Sequence, residues 1–367
     1  MNVLLVDPFL GGSHKQWAEG WKKHSRHTLT IVGLPGRNWK WRLMGSAPVL
    51  VQKMQSAATP DVIIYTSMAN VAVIRGLLPQ KWQSIPSALY MHENQLVYPQ
   101  YIDSGKRPKS VPELEIIQIL STLAVDRVWF NSYFHKRSFL SAIPDFLHRF
   151  PDYRWLDRVE SIEQKSEVLY VGIEAPEPKS PEVSFEKDKP PIILWNHRWD
   201  FDKDPIAFFK MLFRLSDRSI PFRLIAVGAN SGNYDSSFIE QAEKRIRSHI
   251  MHWGYLQDKS EYNKLLGQAD VLPVTSRQDF FGISTVEAIA RNTFPLLPDR
   301  LAFPEHIPEQ LKGQHLYKGM RELEEKLSHY LQAPRSVSQE LRSHISKYYW
   351  TNIIEEYDEK VELLAQL

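Results

Sequence analysis

The sequence contains no cysteine, no long apolar run and no low-complexity tract, although it has 367 residues. The missing cysteines exclude disulfide bonds, thiolate metal ligands and a cysteine nucleophile. The first apolar run, residues 3–6, is too short for a signal peptide, and no stretch approaches the ~20 apolar residues of a membrane span. The sequence therefore predicts a cytoplasmic protein without a membrane anchor, and it specifies no oligomeric state.

The net charge is also small, +2, but it is unevenly distributed along the chain. Residues 1–150 hold 17 basic and 9 acidic side chains, and the remainder holds 28 basic and 34 acidic ones. The first stretch therefore carries +8 and the second −6. A basic region joined to an acidic one indicates a polyanionic partner for the first, with chance placement and solubility as the alternative.

Short apolar runs bounded by turn residues alternate with amphipathic segments. The runs are mostly continuous, which is typical of strands buried on both faces of a parallel sheet. They form two sets, at residues 3–6, 29–32, 62–65, 88–91, 128–130 and 168–171, and at 192–195, 222–227, 250–253, 271–274 and 294–297. Alternating β and α units predict doubly wound sheets, and thus the α/β fold class.

A segment rich in proline and charge, residues 176–191, separates the two sets and predicts a linker. We therefore predict an N-terminal domain over residues 1–175 and a second domain over 192–336. The helical pattern of residues 337–367 predicts a C-terminal helix that packs back on the first domain. Two such domains facing across a cleft would bind ligands at the carboxyl ends of their strands.

The strongest motif lies in the second domain, where a buried strand ending at Ser276 precedes Asp279, Gly282 and Glu287. A helix that starts beside a glycine offers backbone N–H groups and a positive dipole end to a phosphate. Glu287, over one turn into that helix, is placed for a ribose hydroxyl, and Asp279 for sugar hydroxyls. Taken singly, Glu287 would be a solvated helix residue and Asp279 a helix cap. Their spacing after the strand favours ligand binding over these structural roles.

A second motif follows the first strand of the same domain, where Arg198 and Lys203 lie five residues apart. Two cations at the mouth of a sheet suit a diphosphate leaving group, although they could also be solvated. Asp204 then precedes Pro205 as a predicted helix cap. The aspartates of residues 200–204 also fit an Asp-x-Asp metal motif. Because that spacing is common by chance, we predict no metal and no cofactor.

Small or polar residues end several other strands, where a ligand would lie. A lone histidine is more often structural, but His92 stands at such a strand end, which favours a functional role. The glycine pair near the N-terminus either lets a ligand approach the backbone closely or forms a tight turn. The residues at these positions are Gly11, Gly12, His92, Glu93, Asn94, Asn131, Ser132 and Gly228.

These motifs resemble two nested protein families. The Asp279-Phe-Phe-Gly-x4-Glu287 pattern, together with Arg198 and Lys203, is similar to the signature of family-4 retaining glycosyltransferases, which have the GT-B fold. That family usually has Glu in place of Asp279 and Gly in place of Asp204. Longer blocks resemble the tRNA-queuosine alpha-mannosyltransferase family nearly end to end, at residues 4–17, 91–99, 130–136, 195–200 and 278–282.

The resemblance implies GDP-mannose as donor substrate and, as acceptor, a tRNA (tRNA-Asp in the first instance) with queuosine at its wobble position. It implies catalytic roles for His92, Arg198, Lys203, Asp279 and Glu287. Donor binding is expected at Gly11, Gly12, Gly228, Tyr255, Phe281, Gly282 and Ile283. Fixed positive charge would stabilise the departing diphosphate, and the transferred sugar would keep its configuration.

The acceptor is expected to contact the first domain, which carries the basic stretch. Cations would bind phosphates and an exposed Trp would stack on a base, although each cluster alone is equally a solvated patch. The expected residues are His14, Glu93, Asn94, Asn131, Ser132, Trp39, Lys40, Trp41, Arg42, Lys106, Arg107, Lys109, Lys136 and Arg137. The alternatives are hexosyl transfer to a small molecule or lipid, and a non-catalytic tRNA-binding protein.

Overall fold

A computed structural model of the protein describes residues 1–98, 112–177, 189–229 and 236–367. Its contacts divide the chain into two compact units. The first unit comprises Met1–Glu174 together with Tyr348–Leu367, and the second comprises Ala175–Lys347. Most of the predicted linker, residues 178–188, lies outside the described residues.

The first unit contains a parallel sheet with the strand order β2-β1-β3-β4-β5-β6. Strands β3 and β4 are buried at every residue, because the sheet is covered on both faces. The strands are β1 (Asn2–Leu10), β2 (Thr28–Pro35), β3 (Val62–Thr66), β4 (Ser87–Met91), β5 (Arg127–Phe130) and β6 (Ser166–Val168).

The helices of this unit connect the strands in the order expected for a doubly wound sheet. Apolar side chains of the strands and of α7, among them Leu4, Leu89 and Phe139, form its core. The helices are α1 (Gly12–His24), α2 (Trp39–Gly45), α3 (Ala47–Gln55), α4 (Val71–Leu77), α5 (Gln80–Gln83), α6 (Pro112–Leu123), α7 (Tyr133–Leu147) and α8 (Arg158–Gln164).

The second unit contains its own parallel sheet, with the strand order β12-β11-β10-β7-β8-β9. The first strand of this unit, β7, is central, and the later strands are added first on one side of it and then on the other. The strand order therefore reverses between β7 and β10, where such folds bind ligands. The strands are β7 (Ile192–Trp195), β8 (Arg223–Ala226), β9 (Ile250–Trp253), β10 (Val271–Pro273), β11 (Phe294–Pro298) and β12 (Leu316–Tyr317).

Helices of the second unit pack on this sheet through apolar faces that include Phe208, Leu212 and Leu327. They are α9 (Pro205–Asp217), α10 (Ser236–Arg245), α11 (Lys259–Leu266), α12 (Ile283–Ala290), α13 (Lys312–His315), α14 (Met320–Gln332) and α15 (Gln339–Ser346). In neither unit do the described residues include a helix that is long and apolar enough to cross a membrane.

The last helix, α16 (Trp350–Leu364), returns to the first unit and packs on α1. The ring of Trp350 lies so close to Gly20 that a β-carbon there would come within 2.2 Å of the indole nitrogen. The Tyr357 hydroxyl accepts a hydrogen bond from the Trp17 indole at 3.0 Å. The first unit therefore completes its core with the end of the chain.

The preceding helix, α15, belongs to the second unit. The chain therefore passes from the second unit back to the first later than residue 337, where the sequence predicts the boundary. Its side chains Leu341 and Ile345 are buried, and the ring of His344 bonds the backbone oxygen of Glu305 at 2.9 Å. The boundary falls instead between Lys347 and Tyr348.

The charge of the two units differs from the charge of the two stretches of sequence. The first unit holds 21 basic and 20 acidic residues, and the second holds 24 and 23, so each carries +1. The expectation of a basic first domain is therefore wrong. Residues 151–174 and α16, which belong to this unit, contribute more acidic than basic side chains. Some of these neutralise basic residues directly, as in the Arg26–Glu362 pair at 2.7 Å.

Candidate active site

The loop after β7 in the second unit presents the two predicted cations. The Arg198 guanidinium lies 3.3 Å from Asp200 and 3.5 Å from Asp202, and its side chain is 53% exposed. Two carboxylates therefore hold the terminal nitrogens of the guanidinium, while about half of the side chain is exposed. Arg198 and Lys203 together are called the cation cluster below.

The second member of the cation cluster, Lys203, is buried among oxygen atoms. Its ammonium lies 2.7 Å from Asp279 and 3.2 Å from Asp202, and it donates to the backbone oxygen of Gln278 at 2.9 Å. Burial lowers its pKa, but Asp279 and Asp202 outweigh burial and raise that pKa above its ordinary value. The ammonium therefore stays charged. Its bond to Asp279 brings together two predicted site residues that lie 76 positions apart in the sequence.

Helix α12 begins at the predicted glycine. Gly282 has a φ of +84°, a left-handed conformation, and a β-carbon there would come within 3.0 Å of the Phe303 ring. The first intrahelical bond comes from the N–H of Thr285, so the N–H groups of Ile283 and Ser284 precede it. The start of α12 thus has the geometry that favours a phosphate.

Two residues after β7 hold the start of α12 in place. The Asn196 amide donates to the backbone oxygen of Ser284 at 2.8 Å, and the Ser284 hydroxyl lies 3.2 Å from the His197 ring. Burial, together with the positive charge of Lys203 and Arg198, lowers the pKa of His197 to about 3. The ring is therefore neutral, and its contact with Ser284 joins the loop that carries the cation cluster to the helix start.

Glu287 is buried, not solvated. Its carboxylate accepts a hydrogen bond from Lys259 at 2.8 Å and one from the Tyr262 hydroxyl at 3.5 Å. Both partners lie on α11, and sequence reasoning missed them because no local pattern links them to α12. Lys259 neutralises the carboxylate, which explains how a charge can remain there.

The three aspartates of the Asp-x-Asp pattern are all engaged by protein groups. Asp200 accepts from the Phe201 N–H at 3.0 Å and contacts Arg198, and Asp202 contacts both members of the cation cluster. Asp204 caps α9 by accepting from Ala207 at 3.2 Å. Within the described residues, no group of three or more His, Asp or Glu is arranged to hold a metal ion.

At Asp204 the sequence departs from the family-4 glycosyltransferase pattern, in which glycine is usual at this position. Its φ is +52°, the left-handed region that favours glycine. Aspartate tolerates this conformation better than most residues because its side chain bonds nearby backbone. The Arg277 guanidinium, 2.6 Å from the Asp204 carboxylate, fixes it further.

A second polar site lies in the first unit, at the carboxyl ends of β1, β3 and β4. The His14 ring lies 3.0 Å from Asp7 through Nδ1 and 3.1 Å from Glu93 through Nε2. Ser67 donates to the other Glu93 oxygen at 2.6 Å. Asp7, His14, Glu93 and Ser67 are called the histidine network below. Sequence reasoning missed Asp7 and Ser67 as site residues, although both follow strand residues that it identified.

The electrostatics of the histidine network fix its proton positions. Burial lowers the pKa of His14, but Asp7 and Glu93 outweigh burial and raise it to about 10. A neutral imidazole has one N–H, so only the charged ring can donate to both carboxylates. At neutral pH the network therefore contains two carboxylates bridged by one imidazolium.

His92, the predicted catalytic histidine, packs beside this network. Its ring centre lies 4.0 Å from that of His14 and 4.6 Å from that of Trp17. Burial, then the positive charge of His14 and the neighbouring His135, lower the pKa of His92 well below its ordinary value. The two neighbouring rings, tilted by 31° to each other, therefore differ in charge, with His14 protonated and His92 neutral.

Other predicted acceptor residues take part in local structure. Asn94 is buried and accepts from the Val97 N–H at 3.0 Å, and Ser132 caps α7 by accepting from His135 at 3.0 Å. Asn131 donates to the backbone oxygen of His92 at 2.9 Å. It thereby supports the position of the predicted catalytic histidine.

The residue clusters predicted to contact tRNA differ in how exposed their side chains are. On α2, Trp41 is 63% exposed and Lys40 is exposed, with its ammonium 5.5 Å from the centre of the Trp39 ring; Arg42 is partly buried. On α7, Arg137 is exposed, whereas Lys136 donates to the backbone oxygen of Ser166 at 2.6 Å. The cluster Lys106, Arg107 and Lys109 lies outside the described residues.

The remaining predicted donor residues stand at strand or helix ends of their own units. Gly12 has a φ of +53° at the start of α1, directly after Gly11. Tyr255 is exposed two residues beyond β9, and Phe281 is buried with its backbone oxygen 2.6 Å from the His306 ring. Gly228 follows β8 and faces the backbone oxygen of His197.

Comparisons with known proteins now bear on both units. The family described as tRNA-queuosine alpha-mannosyltransferase N-terminal matches residues 2–173, and the family described as Glycosyl transferases group 1 matches residues 176–349. A tRNA-queuosine alpha-mannosyltransferase from Drosophila melanogaster is 30% identical over 342 residues, which cover 91% of this chain and 88% of the fly protein. The chain belongs to the tRNA-queuosine alpha-mannosyltransferase family.

Solved structures at low sequence identity share the fold of this member of the tRNA-queuosine alpha-mannosyltransferase family. Anabaena HepE in complex with UDP aligns with a TM-score of 0.69 and 14% identity, over 99% of this chain and all of that one. The lipopolysaccharide outer core galactosyltransferase WaaB aligns with a TM-score of 0.61 and 13% identity, over 99% of both chains. The predicted fold class, GT-B with two Rossmann-like domains, and the predicted glycosyltransferase class are confirmed.

Proposed function

We propose that this chain transfers mannose from GDP-mannose to a hydroxyl of the queuosine cyclopentenediol at the wobble position of a tRNA, tRNA-Asp in the first instance. The observation that carries the proposal is the cation cluster beside the start of α12, in a chain of the tRNA-queuosine alpha-mannosyltransferase family. We also propose the cytoplasm as the site of the reaction, because tRNA is modified there.

The second unit supplies the groups that a departing nucleoside diphosphate needs. Negative charge grows on that diphosphate as the bond to the sugar breaks. Arg198, Lys203 and the N–H groups at the start of α12 are fixed before the reaction, so they stabilise this charge without rearrangement. The acceptor hydroxyl attacks on the same face and passes its proton to the diphosphate, so the α configuration is retained.

The first unit supplies groups for the acceptor. Lys40 and Trp41 on α2 are exposed, as phosphate binding and base stacking require. His92 stays neutral, and we propose that it hydrogen-bonds the transferred sugar. The +1 charge of the first unit favours the alternative, a small-molecule acceptor, because it offers a polyanion no general attraction.

Purified protein with GDP-mannose is expected to add one hexose to queuosine in a queuosine-containing tRNA. The measurement is mass spectrometry of nucleosides from the digested tRNA. The unmodified transcript of the same tRNA is the control, and it is expected to gain nothing. Hexose transfer to small acceptors but not to either tRNA would contradict the proposed acceptor.

Replacing Lys40 and Arg42 together by alanine is expected to weaken tRNA binding and reduce its salt dependence. Each lost phosphate contact lowers the slope of log K against log salt by about 0.7 in a single-stranded loop, so the double variant should lose about 1.4. The matched control, Lys318→Ala with Arg321→Ala, removes two exposed cations from the second unit. Equal losses in both double variants would reject α2 as the tRNA surface.

A further inference from the structure

We propose that Asp7 and His14 are positioning residues that hold the Glu93 carboxylate in place to bind two adjacent hydroxyls of the acceptor. The proposal rests on the function proposed above and specifies how the acceptor is recognised. It assigns a vicinal diol as the group that the histidine network binds. Glu93 is the residue that touches the substrate, and the other members act through it.

The histidine network leads from the interior of the unit to a partly exposed carboxylate. The Asp7 side chain is fully buried, the His14 side chain is 8% exposed, and the Glu93 side chain is 23% exposed. A network that only neutralised buried charge would have no need of an exposed end. Glu93 is thus the member that a ligand can reach.

Both oxygens of Glu93 are already oriented by the protein. One accepts from the Ser67 hydroxyl at 2.6 Å, and the other lies 3.1 Å from the His14 ring. An ionised carboxylate has about four sites for hydrogen bonds, so each oxygen keeps capacity for another donor. Two oxygens in one fixed plane match two neighbouring hydroxyls, as they match a bidentate donor.

The charge state of the network favours a ligand that donates. The imidazolium of His14 lies between two carboxylates, which leaves one negative charge in excess on the network. His92, whose ring packs beside that of His14, is neutral. Hydroxyl groups are donors that carry no charge of their own, so a diol binds this site without the repulsion that a phosphate would meet.

Asp7 fixes the network to the sheet. Its second oxygen accepts from the Thr66 hydroxyl at 3.1 Å and from the Phe9 N–H at 2.8 Å. Thr66 ends β3 and Asp7 lies in β1, which are neighbouring strands. The position of His14, and through it that of Glu93, is therefore set by the sheet and not by a mobile loop.

The test compares two forms of the same tRNA, one with queuosine and one as the unmodified transcript, which lacks the cyclopentenediol. Wild-type protein is expected to bind the first form more tightly. Glu93→Gln should reduce this affinity ratio about tenfold, because a neutral amide replaces a charged acceptor. His14→Gln should reduce the ratio by a smaller factor and raise KM more than it lowers kcat.

Three measurements separate the possible outcomes. Glu19→Gln is the matched control: Glu19 is an exposed residue of α1 that pairs with Lys15 at 3.5 Å, so this variant should keep both the wild-type affinity ratio and the wild-type rate of donor hydrolysis. If wild-type protein neither prefers the queuosine tRNA nor modifies it, the proposed function fails. If wild-type protein does both and Glu93→Gln keeps its affinity ratio, the diol site alone is overturned. Should Glu93→Gln not fold, Ser67→Ala decides in the same way: a ratio reduced severalfold supports the site, and an unchanged ratio overturns it.

Discussion

An Arg198→Ala variant is expected to lose about 100- to 1000-fold in kcat, equivalent to about 3–4 kcal/mol of transition-state stabilisation. The guanidinium is half-exposed, so its removal creates no buried cavity and should leave the thermal midpoint unchanged. The carboxylates that it contacts do not depend on it, because Asp202 is also paired with Lys203 and Asp200 accepts a backbone N–H. The measurement is the rate of hexose transfer at saturating GDP-mannose, together with a thermal scan.

Arg321→Ala is the matched control for this prediction. Arg321 is an exposed arginine of the same unit, and its pair with Glu325 is a surface contact between residues four apart on α14. It should transfer hexose at the parental rate. A parental rate in Arg198→Ala would remove that arginine from the donor site.

A Gly228→Ala variant is expected to destabilise the second unit. The added β-carbon would lie 1.9 Å from the backbone oxygen of His197. Both groups belong to the backbone after β8 and β7, which cannot move aside as the end of a flexible side chain can. Overpacking of this kind costs about 2–3 kcal/mol. For a unit of this size, that loss lowers the thermal midpoint by roughly 5–10 °C. Since Arg198 follows His197 directly, donor affinity should fall as well.

Gly313→Ala is the control for the glycine substitution. Gly313 lies in α13, and nothing is within 4 Å of a β-carbon added there. Alanine should leave stability unchanged or raise it by about 0.4–1 kcal/mol, because it restricts the unfolded chain. Equal midpoints in Gly228→Ala and Gly313→Ala, measured by thermal scan, would show that the loop after β7 adapts.

The sheets were largely predictable because their strands are continuous apolar runs. All eleven predicted runs overlap a strand of the structure. The run at residues 168–171 is displaced, since β6 comprises Ser166–Val168, and β12 was missed because its two residues make no run. The order of the strands could not be read from the runs, because pairing depends on contacts distant in sequence.

The site was predictable where it follows strand ends and unpredictable where it depends on tertiary partners. Arg198 and His92 stand within three residues of a strand end, and Asp279 follows the end of β10 by six residues, so sequence reasoning could place all three. The bond between His14 and Glu93 spans 79 positions, and that between Lys259 and Glu287 spans 28, with no local pattern for either. The charge of the first unit was mistaken for a related reason, because α16 is remote in sequence.

The return of α16 to the first unit also sets an order of events during synthesis. The whole second unit, Ala175–Lys347, leaves the ribosome before Trp350 and Tyr357, which are fully buried in the first unit. N-terminal domains usually fold first as a chain is made. Here the N-terminal unit cannot be complete until α16 has been made, so the second unit, with the proposed donor site, is complete before the first unit and its proposed acceptor site.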